Sequence, residues 1–175
     1  MTSFDLPGAD WEVGEDGVPW RRAARVLLFS ADGRLLLATS HDLHDLSRSW
    51  WFTLGGGIEA GEDARTAAVR EVEEETGIEL DPDALLGPVA TRSALLDFAS
   101  GTVRQEEEYY FARLEGYVRL DRSRWTELER ASMDGLRWLG LDELSAVDVE
   151  VFPPELPELA TRLLRGWDGE LHILA

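Results

Sequence analysis

The sequence of 175 residues contains no cysteine and no lysine. Without cysteine there are no disulfides, no thiolate nucleophile and no zinc–cysteine site. All 17 basic residues are arginine, so a Walker-type phosphate-binding lysine and a Schiff-base lysine are excluded as well. Chemistry that needs a cysteine or a lysine nucleophile is therefore ruled out.

Long apolar runs are also missing. No segment approaches the roughly 20 apolar residues of a membrane span, and residues 1–17 have neither the basic start nor the hydrophobic stretch of a signal peptide. We therefore expect a cytoplasmic protein with no membrane partner. The length suits one core, and we predict an N-terminal arm over residues 1–20 and a single domain over residues 21–175. The arm could cross to a second subunit in a homodimer.

Positive charge is scarce. The chain has 35 acidic and 17 basic residues, which gives a net charge of -18. Such a surface repels a nucleic-acid backbone, so we expect no long DNA or RNA as a ligand. A small phosphorylated substrate is anionic too, and a metal ion would be needed to bridge it to acidic side chains.

The most informative segment is residues 56–78. Helical periodicity is clear over residues 62–76, and Gly77 can provide the left-handed residue that commonly ends a helix. The apolar stripe of this helix consists of Ala64, Ala67, Ala68 and Val72. We therefore predict a short helix with clear boundaries.

Three glutamates crowd the end of this helix. Glu71, Glu74 and Glu75 stand at i, i+3 and i+4, so their carboxylates share one face. Each like-charge pair at this spacing costs about 0.2–0.5 kcal/mol, and the negative end of the helix dipole favours cations instead. A hard divalent cation, Mg²⁺ or Mn²⁺, would compensate, because it takes oxygen ligands and keeps positions for phosphate and water.

A run of glycines precedes the helix. Gly55, Gly56 and Gly57 follow the strand-like residues 50–54. Glycine lets the backbone turn tightly and brings bare carbonyls and amides close to a metal ion or a phosphate oxygen. The segment therefore predicts a strand, a glycine loop, an acidic helix and a glycine stop.

This unit resembles the Nudix box, the signature of the Nudix hydrolases. The family pattern is G-x5-E-x7-R-E-U-x-E-E-x-G-U, where U is an aliphatic residue. The matching positions are Gly56, Glu62, Arg70, Glu71, Val72, Glu74, Glu75, Gly77 and Ile78. The family commonly has Leu-Pro before the glycine pair, whereas this chain has Thr53 and Leu54, which changes the stiffness of the loop but none of the acidic residues.

The resemblance implies the Nudix fold, an α/β (α+β) architecture in which helices sandwich a mixed β-sheet. It implies that Arg70 holds Glu71 in its ligand orientation. The implied metal ligands are the carbonyl of Gly55 and the carboxylates of Glu71, Glu74 and Glu75. The other residues assigned to cofactor binding are Gly56, Gly57 and Glu62.

The rest of the sequence predicts strands joined by hairpins. Apolar runs predict one hairpin over residues 24–38 and another over residues 89–114. A strand at residues 136–139 and a helix at residues 155–165 follow, while residues 119–132 could be a loop or a short helix. These elements favour a mixed sheet covered by helices on both faces.

Nudix enzymes often recruit one further carboxylate from outside the box, and three successive glutamates are candidates. Strand alternation places Glu106 and Glu108 on one face and Glu107 on the other. We therefore assign the role of metal ligand or base to Glu106 or Glu108. The polar segment beyond offers Glu127 and Glu129 as alternatives.

The expected activity is that of a metal-dependent pyrophosphohydrolase acting on a nucleoside diphosphate linked to another moiety. Water would attack phosphorus with a carboxylate as base, either Glu71 or Glu74 in the box or the downstream glutamate. One alternative is a module that senses nucleotide without cleaving it, although a sensor has no need to keep every box glutamate. A prenyl diphosphate isomerase is the other, but that chemistry also uses a catalytic cysteine, which this chain lacks.

Overall fold

A mixed sheet of nine strands organises residues 10–175, the part of the chain that the computed structural model describes. Strands β1 to β9 are, in chain order, Glu12–Val13, Pro19–Phe29, Leu35–His41, Ser49–Gly57, Leu86–Phe98, Gly101–Arg113, Met133–Leu139, Glu150–Phe152 and His172–Leu174. Their order across the sheet is β7-β3-β4-β2-β6-β5-β9, with β1 beside β2 and β8 beside β4.

Four α-helices accompany the sheet in the described part of the chain. Helices α1 to α4 are Ala64–Thr76, Glu127–Ser132, Leu141–Ser145 and Leu156–Leu164, and a 3-10 turn covers Pro82–Ala84. The polar segment that could have been loop or helix thus contains the short helix α2. Within residues 10–175, none of the helices has the length and apolar character needed to cross a membrane.

The strand pairing confirms the mixed sheet. β2 and β6, β4 and β8, and β5 and β9 run parallel, and the other paired strands run antiparallel. Both predicted hairpins form. The first is unusual, because β2 and β3 pair only at Leu28–Leu36 and Phe29–Leu35, and β4 lies between them further along.

The start of the sheet lies within the predicted N-terminal arm. β1 pairs with β2 through Glu12 opposite Trp20 and Val13 opposite Pro19. Residues 1–9 of the arm lie outside the described residues. The second half of the arm therefore contributes one short strand and the beginning of β2.

The two faces of the sheet carry separate hydrophobic clusters. On one face, which we call the α1 face, Ala24, Val26 and Leu28 of β2 pack with apolar residues of α1. On the opposite α4 face, Leu27 and Phe29 pack with residues of α3 and α4. Because neighbouring residues of a strand point to opposite faces, β2 contributes to both clusters, and it lies near the middle of the sheet.

Helix α1 has the boundaries expected of a capped helix. It begins at Ala64, two residues after the predicted start, and the Asp63 carboxylate accepts a hydrogen bond from the Thr66 amide at 2.9 Å. It ends at Thr76 and is followed by the cap residue Gly77, which is left-handed with φ +73°. The predicted apolar stripe is buried against the sheet. The two caps and the buried stripe therefore fix the position of α1, and with it the position of its three glutamates.

Leu54→Ala should destabilise the fold strongly. Leu54 is fully buried on the α1 face and lies directly before the glycine run, so truncation leaves a cavity beneath α1. We expect a loss of about 2–5 kcal/mol in the free energy of unfolding, measured by chemical denaturation. Leu95→Ala is the matched control, because Leu95 is also a strand leucine but is 60% exposed; equal losses at both positions would contradict the packing described here.

Candidate functional site

The three glutamates at the end of α1 differ in their burial. Glu75 is buried, with only 3% of its surface exposed. The Glu71 side chain is 13% exposed and that of Glu74 is 47% exposed. The row of carboxylates therefore runs from the solvent to the interior of the domain.

Arg70 connects the row to the loop in front of the helix. Its Nε and Nη2 donate to the two carboxylate oxygens of Glu62, both at 2.9 Å. Its Nη1 donates to Glu71 at 2.7 Å and to Glu74 at 3.2 Å. Nη2 also donates to the carbonyl of Gly57 at 3.0 Å. These bonds raise the pKa of Arg70 and lower that of Glu62. The Arg70 guanidinium therefore compensates part of the negative charge of the box glutamates.

Glu75 receives no hydrogen bond from Arg70. Its carboxylate accepts one from the Gly55 amide at 2.9 Å, and its backbone carbonyl accepts one from the Trp125 indole at 2.8 Å. Burial raises the pKa of Glu75 well above its ordinary value, and repulsion from Glu71 adds to this shift. Burial also raises the pKa of Glu71, while Arg70 opposes the shift. Negative charge is thus least compensated at the buried end of the row.

The glycine run is part of a strand, where a loop was predicted. Gly55, Gly56 and Gly57 are the last residues of β4 and pair with β2. Gly56 faces α1, because a Cβ there would stand 2.6 Å from a Glu71 carboxylate oxygen. Gly55 has φ +122°, which strains any other residue type. The absence of side chains therefore lets the carboxylates of α1 lie directly on the strand.

The donor atoms around Glu75 fit a hard divalent cation. Carboxylate oxygens of Glu71 and Glu75 lie near the backbone of Gly55 and Gly56, and oxygen donors are those that Mg²⁺ and Mn²⁺ prefer. Two repelling carboxyls in a buried setting would gain from a cation. In residues 10–175 no three His, Cys, Asp or Glu side chains converge as a metal site, and Glu74 is instead bonded to Arg70.

The strand glutamates have the alternation that the sequence predicts. Glu108 bonds to Arg22 at 3.0 Å and accepts from the Tyr110 hydroxyl at 3.2 Å on the α1 face. Glu106 is exposed on the same face and accepts from Ser93 at 2.7 Å. Both line an open cavity of about 310 Å³. The other lining residues are Arg22, Thr91, Arg92, Ser93, Glu107 and Ile173.

The alternative carboxylates lie in α2. Glu129 accepts hydrogen bonds from the amide and the hydroxyl of Thr126, which caps this helix. Its negative charge is also one cause of the raised pKa of Glu75, so the start of α2 comes close to the box. Glu127 lies in the same first turn and is exposed.

One arginine next to the box was not predicted from the sequence. Arg25 lies in the buried part of β2, and its guanidinium donates to the Gly55 carbonyl at 2.8 Å. Its partner is Glu107, which is 5% exposed. The sequence signal for Arg25 is that it is the one charged residue in the apolar run of residues 23–29. A buried charge in a central strand requires a partner, and that rule would have pointed to this site.

Comparison with known proteins gives the context of this arrangement. The family described as NUDIX domain matches residues 19–160. The RNA pyrophosphohydrolase of Sphingopyxis alaskensis is 34% identical over 99 residues, which are 57% of this chain and 51% of that protein. The chain therefore matches about half the length of this relative.

Solved structures show the same fold. The E. coli dihydroneopterin triphosphate pyrophosphohydrolase superposes with a TM-score of 0.60 at 20% identity, over 82% of this chain and 94% of that one. A MutT protein from Methanosarcina mazei superposes with a TM-score of 0.59 at 17% identity, over 85% of this chain and 95% of that one. These likenesses confirm the predicted architecture of a mixed sheet between helices.

Glu75→Gln should stabilise the protein at neutral pH when divalent cations are removed. Glutamine keeps an oxygen acceptor for the Gly55 amide and has no charge to desolvate. In the wild type, the folded-state pKa of Glu75 is raised above the ordinary glutamate value of about 4.3. The folded protein therefore holds this proton more tightly, and it loses stability as the pH rises from the unfolded-state pKa through the folded-state pKa.

Thermal melts in EDTA from about pH 4 to pH 8 measure this effect. The stability advantage of the variant should be small at the acidic end and should grow towards neutral pH. Glu79→Gln is the control, because Glu79 is an exposed glutamate just beyond the helix and should show little change. A Glu75→Gln variant that melts below the wild type at neutral pH would contradict the raised pKa.

Proposed function

Since this chain belongs to the NUDIX domain family, we propose that it is a Mg²⁺- or Mn²⁺-dependent pyrophosphohydrolase that cleaves the diphosphate of a nucleoside diphosphate linked to another moiety. The observation that carries the proposal is the placement of the box carboxylates. Glu75 is buried against the Gly55 amide, while Arg70 holds Glu71 and Glu74 from the other side. The family match covers residues 19–160.

In this proposal the box residues divide the work between binding and orientation. Glu71, Glu74, Glu75 and the Gly55 carbonyl hold the cation, and Arg70 and Glu62 keep the carboxylates oriented. A divalent cation bound there would neutralise phosphate charge and stabilise the charge that develops in the transition state. The space that side chains would fill at Gly56 and Gly57 is occupied by the carboxylates of Glu71 and Asp10, so these glycines let acidic groups lie against the backbone at the proposed cation site.

The proposed reaction needs a base to remove a proton from the attacking water. Glu71 or Glu74 can serve from the box, and Glu106 or Glu108 can serve from the strand. The pKa of Glu71 is raised by burial, which brings its basicity closer to the working pH. No covalent intermediate is needed, which agrees with the absence of cysteine and lysine.

The open cavity beside Glu106 and Glu108 supports a small substrate. It has a volume of about 310 Å³ and is lined mainly by polar side chains, which suits a nucleoside or a sugar more than an apolar group. We place the non-phosphate part of the substrate there. The net charge of -18 still argues against a long polyanion.

A substrate panel with Mg²⁺ tests the proposal. It should include sugar nucleotides, dinucleoside polyphosphates, nucleoside triphosphates and an RNA with a 5′-polyphosphate end, because the Sphingopyxis relative bears the name RNA pyrophosphohydrolase. Metal-dependent release of a nucleoside monophosphate supports the proposal. Tight binding of a nucleotide without turnover would favour the sensor instead, and isomerisation of a prenyl diphosphate would favour the other alternative.

Glu74→Gln should keep the fold and lower kcat at least about a hundredfold. Glu74 is largely exposed and is bonded to Arg70, so its loss should leave the core intact while it removes one charged ligand. Glu73→Gln is the matched control, since Glu73 lies on the same helix, pairs with Arg124 and is outside the box pattern. Full turnover of Glu74→Gln at saturating Mg²⁺ would end the assignment.

Glu108→Gln or Glu106→Gln should lower turnover without unfolding the protein, if the extra carboxylate comes from the strand. The reason is that both lie on the α1 face beside the open cavity. Steady-state kinetics, with thermal melts as a check on folding, measure the effect. Full activity of both variants together with loss of activity in Glu129→Gln would assign this role to α2, where Glu129 already influences Glu75.

A further inference from the structure

An arginine lies inside a strand that is otherwise apolar. Arg25 is 9% exposed and stands in β2 between the fully buried Ala24 and Val26. A buried guanidinium is unfavourable unless its donors and its charge are satisfied. Its retention at this position requires specific partners, and those partners lie on other strands.

Each side of the Arg25 guanidinium makes a hydrogen bond. Nε donates to a Glu107 carboxylate oxygen at 3.0 Å, and Nη2 donates to the Gln105 side-chain carbonyl at 2.9 Å. Nη1 donates to the Gly55 carbonyl at 2.8 Å. Two strand residues of β6 therefore hold the guanidinium, and the guanidinium in turn holds the backbone of β4.

Gly55 is held by a charged side chain on both of its peptide groups. Its amide donates to Glu75 at 2.9 Å, and its carbonyl accepts from Arg25. With φ +122° and a backbone that would place a Cβ 2.0 Å from the Ala24 carbonyl, this position admits only glycine. Glycine has the greatest backbone freedom of all residues. The hydrogen bonds to Glu75 and Arg25 limit this freedom and restrict rotation of the Gly55–Gly56 peptide.

The partner of Arg25 is itself fixed. The other carboxylate oxygen of Glu107 accepts from the Tyr109 hydroxyl at 2.6 Å and pairs with Arg92 at 3.6 Å. The Arg92 Nε donates to the Ala175 carbonyl at 2.7 Å. The contacts thus continue from Ala175 to Gly55, the residue directly before the box.

The charge of Arg25 is balanced next to the proposed metal site. Although burial disfavours the cation, attraction to Glu107 and Glu75 raises the pKa of Arg25 above its ordinary value. Because Glu107 neutralises the guanidinium at close range, the pair adds little repulsion towards a nearby cation. A carbonyl oxygen has two lone pairs, so Gly55 can accept from Arg25 and still serve as a ligand.

We infer that Arg25 is a positioning residue of the proposed reaction: held by Glu107 and Gln105, it fixes the orientation of the Gly55 carbonyl beside Glu75 and so sets the affinity of the site for a divalent cation. The inference rests on the proposed function. It assigns a role to residues outside the box, which runs from Gly56 to Ile78. It also gives Glu107, the glutamate on the far face, a role that strand alternation alone did not suggest.

Mn²⁺ binding, followed by the loss of the free-ion EPR signal, tests this role without measuring turnover. Arg25→Gln should weaken Mn²⁺ binding roughly 10–100-fold, as does the loss of other groups that orient metal ligands. Arg25→Lys should not restore it, because one ammonium cannot contact Gly55, Glu107 and Gln105 together. Gln105→Leu should also weaken binding, because it removes one of the two β6 groups that hold the guanidinium while Glu107 still balances its charge.

The matched control is Arg65→Gln. Arg65 is an arginine of α1 that donates to the carbonyls of Pro82, Leu85 and Gly87 and has no bond to the glycine run. This variant should bind Mn²⁺ as the wild type does, even if its melting temperature falls. Binding is compared per folded molecule, with the folded fraction measured by circular dichroism.

The outcomes separate the inference from the proposed function. Wild-type Mn²⁺ affinity in folded Arg25→Gln would reduce Arg25 to a structural residue and overturn the inference. If that variant does not fold, Gln105→Leu decides, because it loosens the hold on the guanidinium and leaves the charges around it unchanged: weakened binding supports the inference and unchanged binding overturns it. A wild-type protein that binds no Mn²⁺ would instead overturn the proposed function.

Discussion

Repulsion between carboxylates on one face of α1 is the constraint on which the site depends. Arg70 relieves this repulsion at the solvent side, where it bonds to Glu71 and Glu74. It does not bond to Glu75, which is buried against Gly55. Because a carboxylate is least stable where it is desolvated, uncompensated charge is concentrated at the buried end of the row. In the proposed function, a divalent cation would stabilise the site most at that end, next to the strand.

The local features of the site could be predicted from the sequence, because they depend on periodicity. The 3.6-residue repeat gave α1 and its apolar stripe, Gly77 gave its end, and strand alternation separated Glu107 from Glu106 and Glu108. The contacts of Arg25 could not be predicted in this way. They join strands about 80 residues apart in the chain, and alternation specifies a face but not the neighbour across the sheet. The glycine run belongs to β4 although its composition predicts a loop, since glycine is rare inside strands.

The chain and its proposed substrate are both negatively charged, so the substrate can bind only if positive charge at the site compensates the repulsion. A net charge of -18 opposes the approach of any phosphate. Four arginines around the box and the cavity beside it are each engaged by a carboxylate: Arg21, Arg22, Arg25 and Arg70. In the proposed function none of them is therefore free to neutralise a phosphate group, and this task would fall to a bound cation. The proposed dependence on metal would thus follow from how the arginines are paired.

The position of β2 explains why the box residues alone do not determine the geometry of the site. On the α1 face, the small Ala24 packs with the residues of α1. One residue later, Arg25 points to the opposite face and bonds to the same strand end from there. Gly55 is therefore fixed from both faces of the sheet, by Glu75 of the box on one side and by a residue outside the box on the other. Two chains with identical boxes can thus differ in the rigidity of this carbonyl, since the residue opposite it in the central strand is not part of the box pattern.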